Sequence, residues 1–349
     1  MIVYLFLLFY LFALRNNQKN IIRFLILSLF LLFFVCVFRG ISVGTDTVSY
    51  LQIYNRYARE PVRLSVVFGG HEYLFSLIYH YLGRIGISYR IILMIQSALF
   101  LCPIGWVLFK QGGRPIEKLL FLFLLGFYFG SFNIVRQSIA ISFAFLGYYF
   151  IENKKYFSFV ISFFIAWGFH LTSLLILVVI ILKYINLNKY WVILLIVVSY
   201  SIPLIFDMSF LSAFFISEVN ELEAYTRYIE REGVMKGGAI PVTGTIISLL
   251  YVYIVYIYGD ENRKRDFFYK ISVFSVILTN LLFVSPTWTV RIIMYFSVAQ
   301  VTFLSRLSKR SVFDRTIVYG YALVYFIYYY ILQNYNEVKP YVFDMSFNV

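Results

Sequence analysis

Long apolar runs separated by short basic segments dominate this chain. Runs at 2–14, 21–38, 90–109, 118–134, 137–151, 156–182, 190–206, 240–258, 267–285, 291–304 and 315–333 each read as a membrane-spanning helix or part of one. A helix needs about 20 mostly apolar residues to cross a bilayer. By that measure 2–14 is short and 156–182 is long. Gly168-Phe169-His170 interrupts the long run, so it reads as one tilted helix or as two short helices meeting at a break. The segment 71–89 is amphipathic, with Glu72, His80 and Arg84, and reads as an interfacial or re-entrant helix. The pattern predicts ten to twelve helices in an all-α polytopic membrane bundle, a single integral domain over 1–349. Its longest polar stretches, 39–70 and 207–239, are expected to be loops, the first continuing into the amphipathic segment as far as residue 89. No internal repeat and no soluble domain stand out.

Composition agrees. Hydrophobic residues make up 61% of the chain and charged residues only 13%, against roughly 25% charged in a soluble domain. An ordinary soluble enzyme and a disordered chain are excluded. The net charge of +13 would suggest nucleic acid on a soluble protein; here basic residues flank apolar spans, so no nucleic-acid partner is expected. Cys36 and Cys102 lie in apolar runs and form neither a disulfide framework nor a metal site. The chain opens on Met1–Leu14 without a basic n-region, so the first span is expected to stay in place.

Orientation follows from basic residues in short loops. Loops 15–23, 110–118, 152–155, 183–189, 259–270 and 305–315 read as cytoplasmic. The segments 39–89, 133–137, 207–239, 286–291 and the tail after 334 then lie outside, provided that 71–89 does not cross fully and 156–182 crosses twice. Of 12 lysines only Lys236 and Lys339 fall outside, whereas ten of 18 arginines do: Arg39, Arg56, Arg59, Arg63, Arg84, Arg90, Arg136, Arg227, Arg231 and Arg291. Arginine grips phosphate and carboxylate bidentately. An arginine-rich external face points to an anionic ligand there, the alternative being a solvated basic loop.

Five positions carry candidate chemistry. Arg136 lies in an apolar region and needs a partner or a wet cavity. Asn133 and Gln137 sit within a helical turn of it, and Ala140, Ala144 and Gly147 follow as a small-residue face. The alternative is a hairpin turn from which Arg136 snorkels to headgroups. Asp46, after Arg39 and Gly44, is either the cap of a helix beginning near Val48 or a carboxylate held at the membrane surface. Glu72 by local physics is a first-turn glutamate favoured by the helix dipole, and otherwise a general base. His170 is the one ionisable residue between Lys155 and Lys183, either a satisfied buried polar group or a proton acceptor at a helix break. Arg291 begins a span beside Trp288 as an interface residue or a second phosphate clamp. The 21% aromatic content reads first as interfacial belts and bundle filler, and only secondarily as sugar platforms. No phosphate loop, HExxH, GxSxG or paired-cysteine motif occurs, so ATPase, zinc-protease and serine-hydrolase readings lose support.

These residues together resemble the EpsG family of Wzy-like polysaccharide polymerases. The resemblance rests on Arg39 with Gly44-Thr45-Asp46-Thr47-xx-Tyr50, His71-Glu72-Tyr73, Asn133-xx-Arg136-Gln137-xx-Ala140, Ala166 with Phe169-His170-xx-Ser173, Arg291 at a span start, and Pro340-Tyr341. It implies a GT-C-like bundle in the bacterial cytoplasmic (inner) membrane, with a site carried by external loops. The implied reaction joins polyprenyl-diphosphate-linked oligosaccharide repeat units into O-antigen, capsule or exopolysaccharide, without cofactor or metal. His170, Asp46 and Glu72 would be catalytic; Arg39, Arg136, Arg291, Gln137 and Tyr50 would hold diphosphate and sugar. The lipid bilayer, a chain-length regulator and a flippase are the implied surroundings. The rival classes are an O-antigen ligase-type glycosyltransferase and a transporter or flippase of lipid-linked oligosaccharide. A transporter needs access from both sides, whereas the candidate residues all fall outside. A ligase usually carries a larger external loop than 207–239.

Overall fold

The computed structural model describes residues 1–17, 19–59, 72–206, 242–258, 266–282 and 288–345. These form sixteen α-helices and no strand, and 80% of the described residues are helical. One helix, Tyr89–Gln111, is long and apolar enough to cross a bilayer unaided, and seven more apolar helices have 10–17 residues. The expected loop at 207–239 and residues 60–71 lie outside the described residues. Two compact units emerge, Met1–Leu174 with Gln300–Val349, and Leu175–Ala299.

In the first unit the chain order is α1 (Ile2–Leu14), α2 (Ile21–Val37), α3 (Thr47–Arg59), α4 (Tyr73–Arg84), α5 (Tyr89–Gln111), α6 (Pro115–Leu124), α7 (Phe127–Gly130), α8 (Val135–Glu152) and α9 (Tyr156–Phe169). The amphipathic segment is the helix α4, packed on α3. Tyr50, Tyr54 and Tyr57 share one face of α3 by their spacing of four and three. They meet Phe75, Tyr79 and His80 of α4 at ring separations of 5.8, 5.5 and 4.2 Å. The expected span 118–134 is two pieces. Gly126, at φ +82°, turns the chain between α6 and α7, and α8 begins anew at Val135. The long run also breaks. His170 is extended (φ −157°, ψ 126°), and a 3₁₀ turn follows over Leu171–Leu177. The count therefore exceeds ten to twelve because apolar runs that look continuous in sequence are broken at turns.

The second unit holds α10 (Val178–Tyr184), α11 (Lys189–Ile205), α12 (Val242–Tyr258), α13 (Phe267–Leu281) and α14 (Trp288–Ser297). Asn188 and Asp266 cap α11 and α13 through their side chains. Buried Asn280 accepts from Ser248 at 2.7 Å and donates to Ser199 at 3.1 Å, joining α13 to α12 and α11. Such bonds replace the hydrophobic drive that apolar surroundings do not supply.

Back in the first unit, α15 (Ala299–Leu307) is followed by α16 (Val312–Phe326) and a π-helical turn, Ile327–Leu332. The tail then returns to the end of α2. Gly40 N–H donates to Val342 O at 2.9 Å and Asp344 N–H to Phe38 O at 3.0 Å. Tyr341 OH donates to Val35 O at 2.9 Å.

Candidate functional site

Three helix ends meet in the first unit. Glu72 stands at the N-cap of α4, yet its side chain makes no capping bond. Instead, one carboxylate oxygen accepts from Arg136 Nη1, and the other lies 2.5 Å from His170 Nδ1. Arg136 lies in the first turn of α8, where the positive end of the helix dipole disfavours a cation. Glu72 offsets that. His170 is the C-cap of α9. Glu72 and His170 side chains are 16% and 15% exposed, and Arg136 is 38% exposed. The triad is therefore open to an approaching ligand while its hydrogen bonds remain largely shielded.

Close packing of α9 on α4 makes the encounter possible. A Cβ at Gly168 would come within 2.6 Å of Leu74 Cγ. Only a residue without a side chain lets His170, two positions on, reach Glu72, two positions before Leu74. Gly168→Val is expected to push α9 off α4 and to lower the melting temperature of the purified protein by at least about 2 °C, as overpacking of about 1–3 kcal/mol does.

Aromatic faces line the arginine. Its guanidinium carbon lies 5.3 Å from the Phe75 ring centroid and 5.9 Å from that of Tyr50. Tyr50 is itself buried. Asn133, three residues before Arg136, is a hub. Its Oδ1 accepts from Thr45 Oγ1 at 3.0 Å and from the Asp46 N–H at 3.3 Å, and its Nδ2 donates to Asn336 O at 3.1 Å. The Gly44 N–H donates to Glu337 O at 3.1 Å. Gly44 takes φ +96°, and a Cβ there would lie 2.8 Å from Asn133 Oδ1. The Gly44–Thr47 turn is thus tied to the start of α8 and to the tail.

The other candidates take different places. Asp46 begins α3 through its carbonyl, which accepts the Tyr50 N–H at 2.9 Å, and it joins Asn133 through its backbone. No ion pair to its carboxylate occurs among the described residues. Gln137 is buried. Arg39 is 3% exposed, donates from Nη1 to Cys36 O at 2.6 Å and lies 4.8 Å from the Phe132 centroid. It lines a small polar pocket with Gln96, Ser131 and Ser138 and does not touch the triad. Arg291 belongs to the second unit, half-buried on α14. Within the first unit Arg136 and His170 converge on Glu72, and Asp46 reaches Arg136's helix through Asn133.

Sequence reasoning missed two supports. Buried Arg90 pairs with Asp344 at 3.0 Å and donates to Arg39 O at 3.0 Å. By backbone carbonyls Glu337 holds the Gly44–Thr47 turn and Asn336 holds the Asn133 side chain, with both residues at positive φ. Asn-Glu in a polar tail carries no signal for this; the asparagine's tolerance of left-handed backbone is the nearest hint. No group of three or more His, Cys, Asp or Glu suited to a metal ion occurs among the described residues.

No curated protein and no solved structure matches the chain. A family model does, that of the EpsG family, over residues 21–343. The match takes in Arg39, the Gly44–Thr47 turn, the Glu72–Arg136–His170 cluster, Arg291 and most of the tail. On that coverage, nearly end to end, the chain belongs to the EpsG family.

Proposed function

We propose that the protein is a membrane glycosyltransferase that polymerises lipid-linked oligosaccharide repeat units on the external face of the bacterial cytoplasmic membrane. Membership of the EpsG family supports a Wzy-like polymerase role. The single observation that carries the chemistry is Glu72 holding His170 and Arg136 on its two oxygens.

Glu72 accepts from His170 Nδ1–H and so fixes the tautomer whose Nε2 carries the lone pair. An acceptor sugar hydroxyl on the incoming lipid-linked unit gives its proton to Nε2. Its oxygen bonds to the anomeric carbon at the reducing end of the growing chain. The bond from that carbon to the diphosphate oxygen breaks, and the polyprenyl diphosphate leaves with the electron pair. Arg136 meets the charge gathering on the diphosphate. The aromatic rings of Tyr50 and Phe75 hold the guanidinium in place. Asp46 and Arg39 act outside this step: Asp46 shapes the turn over Asn133, and Arg39 turns back on Cys36 O at the end of α2.

A deletion strain tests the reaction class. A polymerase mutant accumulates carrier or acceptor bearing one repeat unit outside the cell. Units held inside would identify a flippase. Full-length polymer that never reaches its acceptor would identify a ligase. Sidedness is checked separately: a reporter fused after Lys154 is expected to read cytoplasmic and one fused within 218–232 external, and the same side for both would remove the external site.

A further inference from the structure

The second unit carries a feature that the reaction does not use. Between α10, α11 and α13 lies a cavity of about 260 Å³. Leu195, Val273, Phe274 and Ile277 form its walls, and Lys189 and Lys270 stand on its lining at one end. Lys189 begins α11 and Lys270 lies in the first turn of α13, so both helices run away from the same mouth. From Lys189 to Leu195 and from Lys270 to Ile277 the helices rise about 10 Å. The cavity is therefore an apolar groove about two turns deep with cations at its rim. Lys270 Nζ donates to Lys183 O and to Asn186 Oδ1, both at 2.9 Å, which fixes its ammonium at the mouth. Lys189 is half-buried, its ammonium 5.3 Å from the Tyr256 ring centroid. The neighbouring carboxylate, Asp266, has its oxygens turned to the Tyr269 N–H and the Tyr258 OH, at 3.2 and 3.0 Å. Among the described residues Lys189 and Lys270 are the charged groups on the groove's lining.

We infer that this groove binds one anionic glycerophospholipid of the cytoplasmic leaflet, an acyl chain in the groove and the headgroup phosphate at Lys189 and Lys270. Charge complementarity selects the occupant. A neutral lipid leaves the rim cations unmatched, and a free anion leaves the groove empty. Basic pockets between helices on the cytoplasmic side recognise anionic headgroups in this way. The loops that carry these lysines, 183–189 and 259–270, are the ones whose charge places them in the cytoplasm. The inference rests on the membrane reading above and is independent of the glycosyl-transfer step.

The test is lipid retention by native mass spectrometry on the full chain purified in detergent, with dioleoyl phosphatidylglycerol, dioleoyl phosphatidylcholine and inorganic phosphate as probes. Each rim lysine contributes about fivefold in preference for an anionic lipid. Wild type is expected to retain phosphatidylglycerol over phosphatidylcholine by at least that factor. Lys189→Gln lowers the preference about fivefold, and glutamine keeps most of the side chain's length, so the start of α11 is retained. Lys189→Gln with Lys270→Gln takes the preference close to unity. Val273→Trp fills the groove and removes both lipids. Equal retention of the two lipids by wild type, an unchanged preference in Lys189→Gln, or displacement of lipid by inorganic phosphate alone would overturn the proposal. Glu72→Gln is expected to retain lipid as wild type does, so loss of polymerisation and loss of lipid binding are read apart.

Discussion

Glu72→Gln is expected to abolish polymer formation, by on the order of 10⁴-fold, while the protein stays in the membrane at normal level. The amide keeps the shape of the side chain but loses the charge that both neighbours need. Its NH₂ can face His170 and drive the imidazole to the wrong tautomer, an error that costs about 10⁴-fold in the best-studied carboxylate–histidine pair. It also leaves Arg136, 38% exposed at the start of α8, without its counter-charge. Strains carrying the variant should show single repeat units and no ladder. Glu72→Asp is the informative control: it keeps the charge, shortens the reach by one methylene, and is expected to restore measurable polymer because charge and not size is the missing quantity.

The second large effect is at Arg136. Arg136→Lys keeps one positive charge and loses the planar fork that meets two diphosphate oxygens together. Losing a preorganised donor at a site of developing charge costs about 10²–10³-fold. Polymer length should collapse with protein level unchanged, and Arg136→Ala should be at least as severe. Arg59, the last residue of α3, sits outside the cluster, and Arg59→Lys is expected to leave the ladder near normal. Normal ladders from Arg136→Lys would make Arg136 a headgroup contact with no part in the reaction.

Much of this architecture is legible in the sequence because apolar runs and their breaks leave local marks. The amphipathic segment at 71–89 is α4 over Tyr73–Arg84, and the interruption at Gly168-Phe169-His170 is where α9 ends. Arg136 stands out because an arginine among apolar residues is costly and must find a partner. Which partner it finds is not local information. Glu72 lies 64 residues from Arg136 and 98 from His170, and by its own position it reads as a helix-start glutamate. The packing of Gly168 on Leu74 decides the outcome, and no periodicity records it. The break in 118–134 escapes for a similar reason: Gly126 is one of two glycines in a run that stays mostly apolar around it. Arg39 is a second case: a span-end arginine reads as an external phosphate ligand, and only the fold shows its guanidinium turned back to Cys36 O and Phe132.

The central claim is that glycosyl transfer occurs at the Glu72–His170–Arg136 cluster. Its most direct test is the purified protein in lipid vesicles, supplied only with polyprenyl-diphosphate-linked repeat units, assayed for oligomer ladders and released polyprenyl diphosphate. Wild type should yield both in equal step and without added nucleotide or metal, while Glu72→Gln should yield neither. Ladders of wild-type length from Glu72→Gln, or movement of intact lipid-linked units across the vesicle membrane with no new glycosidic bond, would contradict the account.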